Sequence, residues 1–320
     1  MKILFADKFQ EAYLDDLKAQ GHTLDLQPDL SADDLPGKVA DAEVLIVRST
    51  KVTRATIEAA ERLKLVIRAG AGTNTIDKDA AAERNIPVCN VPGRNAVAVA
   101  ELAFGLIVAI DRNIPDNVIA LRAGEWNKKK FSKAQGLYGR HVGVVGLGGI
   151  GMALAKRAAA FGMRVHVVHK PSRSPEVANA LREIDAEEVH DLNALAAACD
   201  VISFHVPATP ETKGMIGEDF LGHCREGTIL INTARGDIVD DQALIRAMDE
   251  KGIRAGLDVY NDEPGAGQGE FRSALAQHPN VYGTHHIGAS TEQAQNAIAE
   301  EVVHMLDEFG RGNPLHCVNL

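Results

Sequence analysis

The decapeptide Val142-Gly143-Val144-Val145-Gly146-Leu147-Gly148-Gly149-Ile150-Gly151 constrains the fold of this chain more than any other stretch. An apolar run at 142–145 enters the glycine pattern, and a helical pattern at 152–161 leaves it. Strand, GxGxxG and helix in that order make the dinucleotide-binding turn of a doubly wound sheet. Gly146 allows the tight turn, Gly148 lets a pyrophosphate approach the backbone, and Gly151 lets helix and strand pack closely. The helix N-terminus offers the phosphates unpaired N–H groups and the positive end of its dipole. Gly146, Gly148, Gly149, Ile150 and Gly151 are therefore expected to line a cofactor site.

The motif stands in the second of two blocks that alternate strands with helices. In the first, strands are expected at 3–6, 24–26, 44–47, 65–67 and 88–90, with amphipathic stretches at 9–20 and 53–61 between them. A long apolar helix at 96–108 and a second helical stretch ending near Gly124 follow. The alternation restarts at His141, with strands expected at 142–145, 165–168, 201–204, 229–232 and 255–259. Such spacing implies βαβ crossovers and parallel sheets, and 320 residues are long for one core. Ser290-Thr291-Glu292-Gln293 reads as a capping box. The helix it opens carries Ala294, Ala297, Ile298, Val302, Met305 and Leu306 at helical spacing. The closing segment 314–318 is too short for a domain and is expected to return to the first. The expected class is α/β: two doubly wound parallel-sheet domains, with a Rossmann cofactor domain (98–290) inserted in a flavodoxin-like substrate domain (1–97 and 291–320).

Forty-four acidic residues against 34 basic ones give a net charge of -10. That balance excludes a general nucleic-acid binder, since no dense Lys or Arg surface exists to neutralise phosphates. The basic run Lys128-Lys129-Lys130 reads as a solvated loop. A few inward-facing Arg can still dominate a pocket, so a small anionic substrate fits. The N-terminus reaches Asp7 before any signal-peptide core forms, and no apolar run approaches the roughly 18 residues of a membrane span. A cytoplasmic protein without membrane contact is expected. Cys89, Cys199, Cys224 and Cys317 are far apart, with no CxxC pair and no clustered His. They read as small buried hydrophobes, and no metal site is expected.

An acid for the adenosine ribose belongs at the end of the strand after the glycine turn. His169 occupies that position, followed by Lys170 and Arg173. A carboxylate repels a ribose 2′-phosphate, whereas Lys and Arg pair with it, so the expected cofactor is NADP or NAD with NADPH preferred. The other reading has His169 bonding the ribose of NAD while the basic pair faces water.

Three further stretches bring polar residues to strand ends of the second block: 232–237, 257–264 and 285–290. Reducing a carbonyl needs a proton donor as hydride arrives, and His carries that proton near neutral pH. A carboxylate holds the imidazole and favours its charged form. Arg presents a planar fork to a substrate carboxylate and polarises the carbonyl oxygen. Arg235, Glu263 and His286 in that order resemble the D-isomer-specific 2-hydroxyacid dehydrogenases, in particular their phosphoglycerate dehydrogenase branch. The match covers essentially the whole chain.

The resemblance implies His286 as acid/base, Glu263 as its partner and Arg235 as the substrate anchor. His285 stands where the family more often has Pro, and the register before Ile287-Gly288 favours His286. Asp258 matches the residue that orients the nicotinamide carboxamide. His205, Val206, Pro207 and Thr209 resemble the family's cofactor-flanking loop, with Thr233, Ala234 and Gly288 also on the cofactor side. In the substrate domain Arg48, Ser49, Arg68, Ala69, Gly70, Ala71, Gly72 and Asn95 are implied to line the cleft. Glu101 matches a family position on the helix that follows Asn95. Two Arg at strand ends suit a phosphorylated or doubly anionic acid.

The implied activity is oxidation of 3-phosphoglycerate, or reduction of a related 2-oxo acid such as hydroxypyruvate or glyoxylate. Ending at Leu320 implies no appended regulatory domain and no serine feedback. A formate-oxidising relative would carry Gln in place of Glu263, and a dinucleotide-sensing corepressor would carry partner-binding tails. A homodimer is implied, with the apolar stretch 96–119 as its interface.

Overall fold

The computed structural model of the chain describes residues 1–264 and 268–320. It divides into two compact units. The first comprises Met1–Asn95 and Ser290–Leu320, with the described part of Pro264–Glu270; the second comprises Ala96–Glu263 and Phe271–Ala289.

The first unit holds β1 (Lys2–Phe5), β2 (Thr23–Leu26), β3 (Val44–Val47), β4 (Leu65–Arg68) and β5 (Val88–Asn90). All neighbours run parallel, in the order β2-β1-β3-β4-β5, which is the flavodoxin-like arrangement. Every residue of β3 is buried, because a central parallel strand is covered on both faces. Side chains alternate between those faces. Leu4, Leu45, Val47 and Val66 feed one core, while Ile3, Phe5, Val44, Ile46 and Ile67 feed the other. The second core is closed by Ile298, Val302, Met305 and Leu306 of the helix Glu292–Gly310.

That helix starts one residue later than its capping signal. Thr291 is the N-cap, its hydroxyl accepting the Ala294 N–H at 3.1 Å. Ala294 then takes the third helical position, so no side chain reaches back to complete a box. Ser290 instead accepts a bond from Arg48 Nη2 at 3.1 Å. Beyond the helix, Cys317 makes an isolated antiparallel bridge with Cys89 of β5, and Asn319 Oδ1 accepts the Val88 N–H at 2.7 Å.

The second unit holds seven parallel strands: β6 (His141–Val145), β7 (Arg164–Val168), β8 (Glu187–Val189), β9 (Val201–Phe204), β10 (Ile229–Asn232), β11 (Arg254–Leu257) and β12 (Val281–Gly283). Their order, β12-β11-β10-β9-β6-β7-β8, is the Rossmann order extended by one strand. Neither β8 nor β12 is among the strands expected from apolar runs. Each has only three residues and lies at a sheet edge, and the Glu-Glu-Val composition of β8 is what a solvent-facing edge tolerates. β11 ends at Leu257, two residues short of the expected bound.

The helix Ala96–Arg112 buries Ala100, Ala103, Phe104, Ile107 and Ile110 in the core of its own unit. Most of the apolar stretch expected to form an interface is therefore core. The basic run belongs to a one-turn helix, Lys128–Phe131, rather than a loop. Among the described residues no helix is long and apolar enough to cross a membrane.

Candidate active site

β6 delivers the chain into the glycine turn. Gly146 has φ +92°, and a Cβ there would meet the His205 carbonyl oxygen at 2.4 Å. A Cβ at Gly151 would meet the Gly146 carbonyl oxygen at 1.9 Å. These two positions are glycine for the protein's own packing. Gly148 differs, because a Cβ there would meet nothing within 4 Å. It has an extended backbone and caps the helix Gly149–Ala160 without a side-chain bond. The helix N-terminus thus presents uncapped N–H groups across open space, which fits a pyrophosphate. Thr233 adds a buried hydroxyl with no protein partner, as a cofactor contact requires. The residues present therefore fit a dinucleotide.

The flanking loop is pinned from within. His205 N–H donates to Val145 O at 2.7 Å, and Thr212 Oγ1 donates to Pro207 O at 2.6 Å while accepting the Thr209 N–H at 2.8 Å. His205 Nε2 meets Ser203 Oγ at 2.9 Å, and its Nδ1 is buried without a partner. Burial lowers its pKa to about 4, so the ring is neutral.

At the end of β7 the structure adds a carboxylate that the reading of 169–173 lacks. Glu188 of β8 hydrogen-bonds His169 Nδ1 and lies 3.3 Å from Arg173 Nε. Arg173 Nη2 also donates to Val168 O at 2.6 Å. Arg173 was expected to face a 2′-phosphate but is folded back onto β7 and paired. Lys170 is exposed. The His169 bond lowers the Glu188 pKa, burial opposes it, and the nearby Arg173 charge adds to the lowering.

The catalytic candidates come together in the second unit. His286 Nδ1 meets Glu263 Oε2 at 2.7 Å. No bond or ion pair engages the His285 ring among the described residues, so the pairing singles out His286. Burial raises the Glu263 pKa, but bonds from His286 and the Tyr260 N–H, with the Arg235 charge, outweigh it and leave it lowered. Arg235 is itself largely desolvated, which lowers its pKa, against the opposing pull of Glu263 and Asp237. Asn232 folds its loop: Nδ2 donates to Arg235 O at 2.8 Å and Oδ1 accepts the Ala234 N–H at 3.0 Å.

Asp258 is 1% exposed and organises the segment that bears His286. Its Oδ1 accepts from Thr284 Oγ1 at 2.6 Å and from Ile287 N at 2.8 Å, and its Oδ2 accepts from Gly288 N at 2.8 Å. Thr284 and Glu188 escaped the reading of the sequence because no apolar period or motif marks them, and Asn232 stood out only as the first residue of the polar stretch 232–237, without a role. Glu101, on the helix after Asn95, pairs with Arg157 at 3.0 Å, a contact that joins two helices of the second unit.

In the first unit, Asp7 Oδ2 accepts the N–H groups of Arg48, Ser49 and Thr50 at 2.6, 3.1 and 3.1 Å. One unrecognised acid thus shapes the whole loop after β3. The Arg68 side chain lies across Gly70, where a Cβ would fall 1.7 Å from Nη1. Asn90 Nδ2 holds the next carbonyl, Ala71 O, at 2.6 Å. Asn95 is partly exposed just before the helix Ala96–Arg112. Among the described residues no group of three or more His, Cys, Asp or Glu could hold a metal ion.

Residues 104–288 match the family profile described as D-isomer specific 2-hydroxyacid dehydrogenase, NAD binding domain. The chain is 41% identical over 314 residues to a D-3-phosphoglycerate dehydrogenase of Methanocaldococcus jannaschii, covering 98% of this chain and 58% of that protein. It is 41% identical over 276 residues to a hydroxypyruvate reductase of Thermotoga maritima, covering 86% and 87% respectively. The cofactor (NAD+)-bound 3-phosphoglycerate dehydrogenase of Entamoeba histolytica superposes with a TM-score of 0.80 at 28% identity, over 100% of this chain and 99% of that one. The chain spans little more than half the length of the curated phosphoglycerate dehydrogenases it matches.

Proposed function

This chain belongs to the D-isomer-specific 2-hydroxyacid dehydrogenases, and we propose that it oxidises the C2 hydroxyl of 3-phosphoglycerate to 3-phosphohydroxypyruvate with a nicotinamide dinucleotide. The observation that carries the reading is the 2.7 Å bond between His286 Nδ1 and Glu263 Oε2 beside the Arg235 charge.

With Nδ1 bonded to Glu263, the Nε2 of His286 is the nitrogen left for the substrate. In oxidation Nε2 takes the C2 hydroxyl proton, and the Glu263 carboxylate stabilises the imidazolium that forms. Arg235 holds the substrate carboxylate and polarises the oxygen as the carbonyl develops. The bound nicotinamide supplies the acceptor for the C2 hydride. Gly148 and the N-terminus of the helix Gly149–Ala160 would hold its pyrophosphate, and Thr233 its nicotinamide end. In the first unit Arg48, Arg68 and the Gly70-Ala71-Gly72 backbone are assigned to the second anionic group of the substrate. Reduction of hydroxypyruvate by the same groups in reverse is the second reading, favoured by the near full-length match to a hydroxypyruvate reductase.

For the cofactor, Lys170 and Arg173 taken alone support NADPH. The pairing of Glu188 with both His169 and Arg173 supports NADH, and the reading proposed is NADH preference. For assembly a cytoplasmic homodimer is proposed. Helix Ile114–Arg122 exposes Ile114 at 45%, Val118 at 37% and Leu121 at 56%, at the i, i+4, i+7 spacing that puts them on one face, which supports a partner copy covering it.

Steady-state assays with phosphoglycerate, glycerate, lactate and hydroxypyruvate test the activity. His286→Ala is expected to lower turnover by about 10²–10⁴-fold with dinucleotide binding nearly intact, and His285→Ala to leave turnover close to the parent. The reverse pattern, or no turnover of any 2-hydroxy or 2-oxo acid by the parent chain, overturns the reading.

A further inference from the structure

The first unit contains two cysteines that its fold sets face to face. Cys89 lies in β5 and Cys317 lies opposite it in an isolated antiparallel bridge. The flanking bonds are Val318 N–H to Val88 O at 2.9 Å and Asn90 N–H to His316 O at 3.3 Å. Both bonds belong to the neighbours, so Cys89 and Cys317 themselves form a non-hydrogen-bonded pair. In such a pair the Cα atoms approach to about 4.5 Å and the side chains stand closest. A disulfide bridges Cα separations of about 4.4–6.8 Å, so the two sulfurs can join without moving either strand.

Access to this pair is one-sided. Cys89 is 1% exposed, and burial, then the neighbouring Cys317 sulfur, pushes its thiol up to about 12. Cys317 is only partly buried and lines an open groove of about 480 Å³ together with Lys78, Asp79, Val318, Asn319 and Leu320. The remaining thiols, Cys199 and Cys224, are buried in the core of the second unit. Only one of the four cysteines thus meets a small reagent while standing against a resolving partner.

We propose that Cys89 and Cys317 are a reversible oxidation site, at which a peroxide converts the two thiols into a disulfide that fastens the C-terminal segment to β5. The Cys317 sulfur attacks one peroxide oxygen and the O–O bond breaks. The departing hydroxide takes up the thiol proton as water, leaving Cys317 as a sulfenic acid. The Cys89 sulfur then attacks the Cys317 sulfur. The S–S bond forms as the S–O bond breaks, and the second hydroxide leaves as water with the Cys89 proton. Two thiols are oxidised and one peroxide is reduced to two waters. Asn319, bonded to Val88 N at 2.7 Å and Ile86 O at 2.9 Å, already holds the segment, so the pair stays in register while the first step proceeds. Neither step depends on the proposed dehydrogenase reaction.

The test treats the intact folded chain with hydrogen peroxide, unfolds it in an alkylating agent, and maps the peptides. The expected product is a peptide linking Cys89 to Cys317, with Cys199 and Cys224 alkylated, and dithiothreitol should return all four thiols. Oxidation should also raise the thermal midpoint of the parent but not of Cys317→Ser. In Cys89→Ala, Cys317 should stop at the sulfenic acid and be captured by dimedone. Finding Cys317 as sulfinic or sulfonic acid without the link overturns the proposal. So does alkylation of both cysteines after peroxide, or a link made to Cys199, Cys224 or a second chain.

Discussion

The main-chain carbonyl of Asp258 accepts the N–H of His286 at 2.8 Å, and the Asp258 carboxylate binds the next two N–H groups of the same segment. This grip answers a local conflict. His286 has φ +52°, a left-handed conformation that costs a non-glycine residue roughly 1–2 kcal/mol. Three bonds from one buried residue hold the backbone there and aim the ring at Glu263. Asp258→Asn leaves one acceptor oxygen where the carboxylate offers two. Losing a charge-assisted bond worth about 1.5–3 kcal/mol should lower kcat roughly 10–100-fold. A positioning role also displaces the pH profile of kcat, because the imidazole drifts from Glu263. An unchanged profile with a raised KM alone would assign Asp258 to binding instead.

The substrate anchors make a second prediction. Arg235 is largely desolvated beside Glu263, where a guanidinium keeps its charge and presents two parallel donors. Arg235→Lys should therefore damage both KM and kcat. Arg68→Ala should raise KM for phosphoglycerate much more than for glycerate, since only the former carries a distal anion. Equal losses on the two substrates would remove Arg68 from the phosphate-reading role.

A third prediction concerns acid stability. His205 is neutral in the fold, its pKa lowered by burial to about 4, whereas an unfolded His titrates near 6.5. A depressed folded value means the stabilisation is fully present above the unfolded pKa and is lost as pH falls through the window from about 6.5 down to about 4. Within that window each pH unit should cost about 1.4 kcal/mol of unfolding free energy from this group. His205→Gln can keep the bond to Ser203 without the titration. Urea unfolding at about pH 7 and pH 5 should show a smaller difference for the variant than for the parent, and equal differences would show that His205 is not the responsive group.

Apolar runs and the glycine turn make most of the fold legible in the sequence. β1 to β7, β9, β10 and β11 all carry such runs. β8 carries Glu187 and Glu188, and charged edge strands have no signal of their own, so the register that brings Glu188 to His169 could not be read. The same holds for Asp7, whose partners lie 41 to 43 residues away. His286 was legible because its neighbours Ile287 and Gly288 fix a register. Its separation from His285 became definite only through the bond to Glu263.

Glu188 makes the last prediction. The residues after β7, His169, Lys170 and Arg173, are those of an NADPH site when taken alone. In the fold, Glu188 binds His169 and pairs with Arg173, and Arg173 also donates to Val168 O. A 2′-phosphate entering there meets a carboxylate held in its ionised form by its hydrogen bonds, and it must break the Arg173 pair to gain a guanidinium. The parent should therefore show a higher kcat/KM with NADH than with NADPH. Glu188→Gln removes the repulsion and releases Arg173. One recovered charge-assisted bond, at about 1.5–3 kcal/mol and less where water competes, should improve NADPH use roughly tenfold or more. Adding Arg173→Ala to that variant should cancel the gain, while NADH use changes little throughout. A parent that favours NADPH, with Lys170→Ala plus Arg173→Ala reversing the choice, would mean that the basic pair turns outward to the phosphate and that Glu188 only buttresses the strand.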